Sequence, residues 1–257
     1  MGLFIKQQGQ GKPLILLHGW GFNSEIWYDT AETLAKYWTV YQVDLPGHGQ
    51  SDFIPYELTQ LTYYFAETLP KDAIWCGWSL GGLIATAMAI YQPAHVRALM
   101  LVCSSPRFVI APDWPHALIP QALQQSSLEL QQDVGATLQR FLALQVRGSD
   151  TATQQLRTLR QLLKKAGYPQ LQALQAGLHL LQTTDLRAQL HTIQCPAQLC
   201  LGEKDVIVPM HAGIDCQKWW PTLNYVCLAS AAHLPFLSHP HQFMGTIIEF
   251  AEEASLF

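Results

Sequence analysis

Gly77-Trp78-Ser79-Leu80-Gly81-Gly82 lies between the apolar run Ile74-Trp75-Cys76 and the apolar stretch Leu80 to Tyr91. The lengths of these flanks predict a strand that passes through one serine into a helix. So sharp a reversal strains the serine backbone, and side chains on its neighbours would collide, which is why glycines flank it. The spacing is that of a nucleophile elbow, with the hydroxyl presented at the carboxyl end of a sheet. The plainer alternative is a serine in a tight turn whose glycines serve packing alone.

Outward from the elbow, short apolar runs alternate with amphipathic ones: Leu14 to Leu17, Val40 to Leu45, Ala73 to Cys76, Ala98 to Val102, Gln198 to Leu201 and Tyr225 to Leu228. Continuous apolar runs of this length, separated by stretches of helical length, predict buried parallel strands. The fold class expected is α/β, a mostly parallel, doubly wound sheet in one domain. Between about residues 109 and 184 the rhythm breaks. Leucine and glutamine dominate there, and Leu130, Val134, Leu138, Phe141 and Leu142 recur at helical spacing. That predicts a helical lid inserted into a core of residues 1–108 and 185–257.

Composition fits such a domain. At 257 residues, with 49% hydrophobic and 13% charged residues, the chain can bury a large core. A net charge of −4 supplies no general attraction to nucleic acid or to an anionic membrane. The six cysteines form no C-x-x-C pair and fall in apolar segments, so free thiols are expected. The amino terminus has no basic region followed by an apolar stretch, Lys6 stands where a myristoylation signal needs serine or threonine, and the run from Leu80 is too short to span a bilayer. A cytoplasmic monomer is expected.

A serine hydroxyl is a poor nucleophile at neutral pH. It needs a base, and the base needs a carboxylate to hold its tautomer. Of ten histidines, His233 lies in the loop just beyond the run ending at Leu228, at the same sheet edge as Ser79. His239 and His241 flank Pro240 at the start of the last helix and suit surface or capping roles. Asp205, in the loop after another apolar run, is the favoured carboxylate, with Glu203 its nearest rival. The chain order Ser79, Asp205, His233 then matches a known triad order. Two backbone N–H groups should hold the charge on the attacked carbonyl oxygen. Leu80 is the expected source of one, and Trp20, in His18-Gly19-Trp20-Gly21, of the other. His18 is expected to brace that loop, and Asp44 to Ser51 to serve as scaffold.

Taken with Gly202 to Pro209 and the His233 loop, these segments resemble the α/β-hydrolase superfamily over nearly the whole chain. The elbow with its Trp78, Phe141-Leu142-Ala143-Leu144-Gln145, and Cys103-Ser104-Ser105-Pro106 are similar to the BioH-type carboxylesterases of biotin synthesis. The resemblance implies hydrolysis of the methyl ester of pimeloyl-acyl carrier protein, without metal or organic cofactor. It also implies substrate contacts from Trp20, Ser79, Leu80, Phe141, Leu142, Ala143, Leu144, Gln145 and His233. Charge adds to it. From Val134 to Ala166 the basic residues Arg140, Arg147, Arg157, Arg160, Lys164 and Lys165 face a single acid, Asp150. Arg157, Arg160 and Lys164 fall on one helix face and are candidates, with Arg140 and Arg147, for docking an acidic carrier protein. A solvated helix face is the plain alternative. A general short-chain carboxylesterase, or a non-enzymatic receptor on the same scaffold, would keep much of this pattern; a dehalogenase or epoxide hydrolase would carry aspartate in place of Ser79.

Overall fold

A computed structural model describes residues 2–257. Seven strands form one sheet in the order β1-β3-β2-β4-β5-β6-β7. They are β1 (Ile5–Gln8), β2 (Pro13–Leu17), β3 (Thr39–Val43), β4 (Ala73–Trp78), β5 (Val96–Val102), β6 (Ala197–Gly202) and β7 (Asn224–Leu228). All six runs read from sequence are strands, and they pair in parallel. The seventh, β1, lies outside the six runs legible in the sequence. Its Ile-Lys-Gln-Gln carries no apolar signal because it is an antiparallel edge strand, paired on one side only with β3.

The strands are covered by α1 (Tyr28–Leu34), α2 (Leu58–Thr68), α3 (Leu80–Tyr91), α8 (His211–Trp219), α9 (Pro235–Ser238) and α10 (Pro240–Glu253). Strand β4 shows why helices lie on both faces. Trp75 and Trp78 are three residues apart and point to opposite sides of the sheet. Trp75 stacks on Phe65 of α2, whereas Trp78 meets Phe236 of α9 edge-on. Every residue of β4 is buried, as a central parallel strand requires. Burying a side chain of this size stabilises by roughly 1.5–3 kcal/mol, so the tryptophans anchor the sheet from both faces.

Between β5 and β6 the chain forms α4 (Pro120–Gln132), α5 (Val134–Gln145), α6 (Ala152–Ala166) and α7 (Leu171–Thr183). Ahead of them, Val109–Leu118 and Ala111–Trp114 make two isolated bridges. The two ends of this segment are tied together at its root. Leu186 N–H donates to the Pro106 carbonyl at 3.0 Å. Arg187 pairs with Asp113 (2.9 Å) and Asp185 (2.8 Å) while its guanidinium lies over the rings of Trp114 and Trp219.

Candidate active site

Strand β4 ends at Trp78 and helix α3 begins at Leu80, so Ser79 makes the entire turn, at φ 54° and ψ −116°. Such backbone persists only where its surroundings over-determine it. Here the Ser79 N–H donates to the Val102 carbonyl (2.9 Å), and the Ser79 carbonyl accepts from the Ser104 hydroxyl (2.7 Å) and from the N–H groups of Gly82 and Leu83. A Cβ at Gly77 would stand 2.4 Å from the Gly81 carbonyl oxygen, and one at Gly81 would stand 2.5 Å from that of Leu17. Side chains are therefore excluded from both positions by backbone, not by choice of residue.

Asp205 and His233 come from the loops after β6 and β7 and meet at the same sheet edge. His233 Nδ1 lies 2.7 Å from Asp205 Oδ2. The other carboxylate oxygen accepts the N–H groups of Ile207 (2.8 Å) and Val208 (3.1 Å), which fixes the direction of Oδ2. An imidazole nitrogen facing a carboxylate carries the proton, so Nε2 keeps its lone pair and can act as a base. That atom is buried and has no hydrogen-bond partner. The Ser79 hydroxyl is equally unengaged, and the two are not bonded to one another here. Catalytic hydrogen bonds of this kind often form only when substrate is present.

The His233 backbone is held at both ends. Its N–H donates to the Gln145 carbonyl at the end of α5 (3.1 Å), and its carbonyl accepts the indole N–H of Trp78 (2.8 Å). Lys204 N–H binds the Ala231 carbonyl at 2.8 Å, tying the two loops together. Glu203, the rival carboxylate, is exposed and accepts the Ser230 N–H instead. It secures the histidine loop from outside. His239 bonds the Ser238 hydroxyl and His241 is exposed, so neither reaches the cluster.

The backbone N–H groups of Trp20 and Leu80 make no hydrogen bond among the described residues and so are free to donate. His18 props the loop that carries Trp20. Its Nε2 accepts the Leu45 N–H (2.9 Å), so Nδ1 carries the proton and donates to the Gly19 carbonyl (2.8 Å). Burial lowers its pKa to about 4. His48 beside it is pushed down to about 3, again chiefly by burial. Both rings are thus neutral scaffold at physiological pH. Asp44 accepts the N–H groups of Ser24 and Gln50, the scaffolding role expected of that turn.

Helices α5 and α7 close over this edge. The Trp20 indole N–H donates to the Leu174 carbonyl (2.8 Å), and its ring meets Phe141 edge-on at 4.8 Å. A Cβ at Gly177 would stand 2.7 Å from the Trp20 ring, so α7 can lie this close only with glycine there. Ser79, Asp205 and His233 are consequently only 3%, 5% and 1% exposed. Of the segment Phe141 to Gln145, Leu142 and Gln145 are buried and Phe141 and Leu144 half-buried, whereas Ala143 is exposed. Five consecutive helical residues span more than one turn, so they cannot all face inward. Arg140, Arg147, Arg157, Arg160 and Lys164 are all exposed.

Four residues around this site are not legible as such in the sequence. In the sequence Trp78 and Cys103 stand only as family marks, Cys103 also as one of six buried thiols, and neither is seen to face the His233 loop; Leu174 and Gly177 carry no signal. Only the polar end of a tryptophan in an otherwise apolar strand hinted at a partner.

Comparison with known proteins agrees with this geometry. The family model described as alpha/beta hydrolase fold matches residues 12–240. The chain belongs to the alpha/beta hydrolase family. Within it, the chain is 39% identical over 247 residues to a pimeloyl-acyl-carrier protein methyl ester esterase of Yersinia pseudotuberculosis, covering 95% of each protein. The enzyme of that name from Salmonella enteritidis is 41% identical, over 93% of this chain and 94% of the other. Among solved structures, an esterase from Exiguobacterium antarcticum superimposes with a TM-score of 0.86 over 97% of this chain and 95% of that one, at 19% identity. An enol-lactonase from Burkholderia xenovorans LB400 gives 0.85 over 97% and 96%, at 20% identity. At such identity these two testify to the alpha/beta hydrolase fold alone.

Proposed function

We propose that this alpha/beta hydrolase is a serine carboxylesterase that cleaves the methyl ester of pimeloyl-acyl carrier protein, releasing methanol and the free acid for biotin synthesis. The observation carrying this reading is the buried His233, oriented by Asp205 through Nδ1 and unpartnered at Nε2, at the same edge as an elbow serine. The substrate comes from the two esterase relatives, which match nearly end to end.

Ser79 Oγ attacks the ester carbonyl as His233 Nε2 takes its proton. The N–H groups of Trp20 and Leu80 hold the oxyanion, and removal of one such donor typically costs about 10²–10³ in turnover. His233 returns the proton to the departing methoxide. Water then attacks the acyl-enzyme, giving its proton to the same nitrogen, and Ser79 leaves with that proton restored. Asp205 stabilises the imidazolium at both stages. No step calls for a metal or organic cofactor.

Helices α4–α7 serve as the lid, and its inner residues Phe141, Leu142, Leu144 and Gln145 border the acyl chain. The outer face of α6, with Arg157, Arg160 and Lys164, receives the acidic carrier protein. No helix among the described residues is long and apolar enough to cross a membrane. Methanol release from methyl pimeloyl-carrier, set beside release from the same ester without its carrier, tests the reading. A higher kcat/KM on the carrier-bound ester is expected. Equal values would leave a general short-chain carboxylesterase.

A further inference from the structure

Cys103 lies immediately beyond β5 in a left-handed conformation rare for a residue with a side chain, at φ 44°. That backbone turns its thiol toward the loop carrying the base, where Sγ stands 3.8 Å from the Ala232 carbonyl. One ligand atom from each of Cys103, Asp205 and His233 then lies within 4.8 Å of the other two, and all three residues are buried. No other trio of such side chains among the described residues meets this condition. Cys76, Cys200 and Cys216 are buried without two such neighbours, Cys195 lies in the loop before β6, and Cys227 lies on β7.

Thiolate, imidazole and carboxylate together form a donor set suited to zinc and its softer relatives. Metal–ligand bonds of about 2.0–2.3 Å in a tetrahedral site place ligand atoms roughly 3.3–3.7 Å apart. The cluster reaches that spacing by shifts of about 1.5 Å or less, within the range of rotating a thiol and an imidazole.

We infer that Cys103, Asp205 and His233 form an inhibitory site for a thiophilic divalent cation such as Zn²⁺ or Cd²⁺. The inference rests on His233 being the base of the proposed esterase, but the binding does not involve Ser79. On binding, the Cys103 thiol gives its proton to solvent and its sulfur bonds the metal. The His233 proton moves from Nδ1 to Nε2, and Nδ1 donates its lone pair to the metal in place of the hydrogen bond to Asp205. The imidazole then presents N–H to Ser79 where it presented a lone pair. It can no longer accept the serine proton, and the hydrolase is switched off without any change to the serine or the oxyanion donors.

The test uses the full chain and p-nitrophenyl acetate, after preincubation with CdCl₂ or ZnCl₂ because a buried site fills slowly. Activity of the parent protein should fall to background and return on adding EDTA. Cys103→Ala and Cys103→Ser, each measured relative to its own metal-free rate, should need at least tenfold more cation for half-inhibition. Equal sensitivity of parent and both variants would overturn the inference, placing the metal on an exposed histidine or on His233 alone. Cd²⁺ binding to Ser79→Ala, followed by sulfur-to-cadmium charge-transfer absorption, should reach one ion per chain and vanish on adding Cys103→Ala. Binding that survives that second change would also overturn it. If Ser79→Ala retained esterase activity while Cd²⁺ binding stayed dependent on Cys103, the proposed function would fall and the metal site would stand.

Discussion

The sheet edge and the face of α6 hold their chemistry in opposite ways. At the edge, Ser79, Asp205 and His233 are each fixed by two or more hydrogen bonds from backbone or buried side chains, so a change of one atom disturbs a defined geometry. On α6, the basic side chains are solvated and act through summed charge. Built geometry is lost in steps, whereas a charged face is lost by degrees. The contrast therefore predicts which substitutions act on every ester and which act only on a charged, carrier-bound one.

The largest expected effect is that of Ser79→Ala. It removes a single oxygen that bonds to nothing in the resting site, so melting temperature should hold while turnover of all esters falls by at least about 10⁴-fold. Single-turnover kinetics and a thermal melt check this together. Substantial residual hydrolysis would remove the edge from the comparison altogether.

Next in size is a dependence of stability on pH. His18 and His48 are buried with pKa values of about 4 and about 3, against 6.5 when exposed. Between those values and 6.5 the unfolded chain binds protons that the folded chain refuses. Stability is therefore complete above about pH 6.5 and declines as pH falls toward 4, by up to about 1.4 kcal/mol per pH unit for each ring. Urea midpoints at pH 7, 6 and 5 should show it. His48→Gln should flatten the slope while lowering stability at pH 7, and an unchanged slope would deny that these rings are held neutral.

Trp78→Phe tests the edge more finely. It keeps an aromatic ring against Phe236 but deletes the N–H that holds the His233 carbonyl. Leaving that buried carbonyl unmade costs about 1–3 kcal/mol of stability. With the imidazole free to drift, kcat should fall about tenfold on small and carrier-bound esters alike while KM changes little. A loss of stability with unchanged kcat would reduce the indole to packing.

How far the sequence discloses these two regions differs for a physical reason. The elbow is legible because strand, serine and helix are contiguous, and because Gly77 and Gly81 face backbone that tolerates no Cβ. Asp205 and His233 are legible from their places after apolar strands, since parallel topology brings every such loop to one edge. Strand β1 is not, because an edge strand need bury neither face. Nor is the seating of α5 and α7 over Trp20. Periodicity shows that a helix has an inner face but not which residue that face meets, and only contact discloses that Gly177 clears the indole or that Ala143 points to solvent. The thiol of Cys103 is hidden for the same reason, since its distance from His233 depends on one positive φ.

The smallest effects belong to the charged face, and they separate its members. Arg157→Glu with Arg160→Glu should slow the carrier-bound ester several-fold through kcat/KM, with the gap closing at 0.5 M salt, where the screening length falls to roughly 4–5 Å. The same pair should leave p-nitrophenyl acetate nearly untouched. Arg140 is also exposed, yet its guanidinium lies 2.7 Å from Glu129 on α4, while the Arg160 side chain bonds only the neutral amide of Gln139. A cation whose charge is already met contributes less to a distant field. Arg140→Ala should therefore cost the carrier-bound reaction less than Arg157→Ala, and Glu129→Gln, which frees Arg140, should speed it slightly. If Arg140→Ala proves the more damaging change, the carrier docks along α5 rather than α6, with its own acid displacing Glu129 from that arginine.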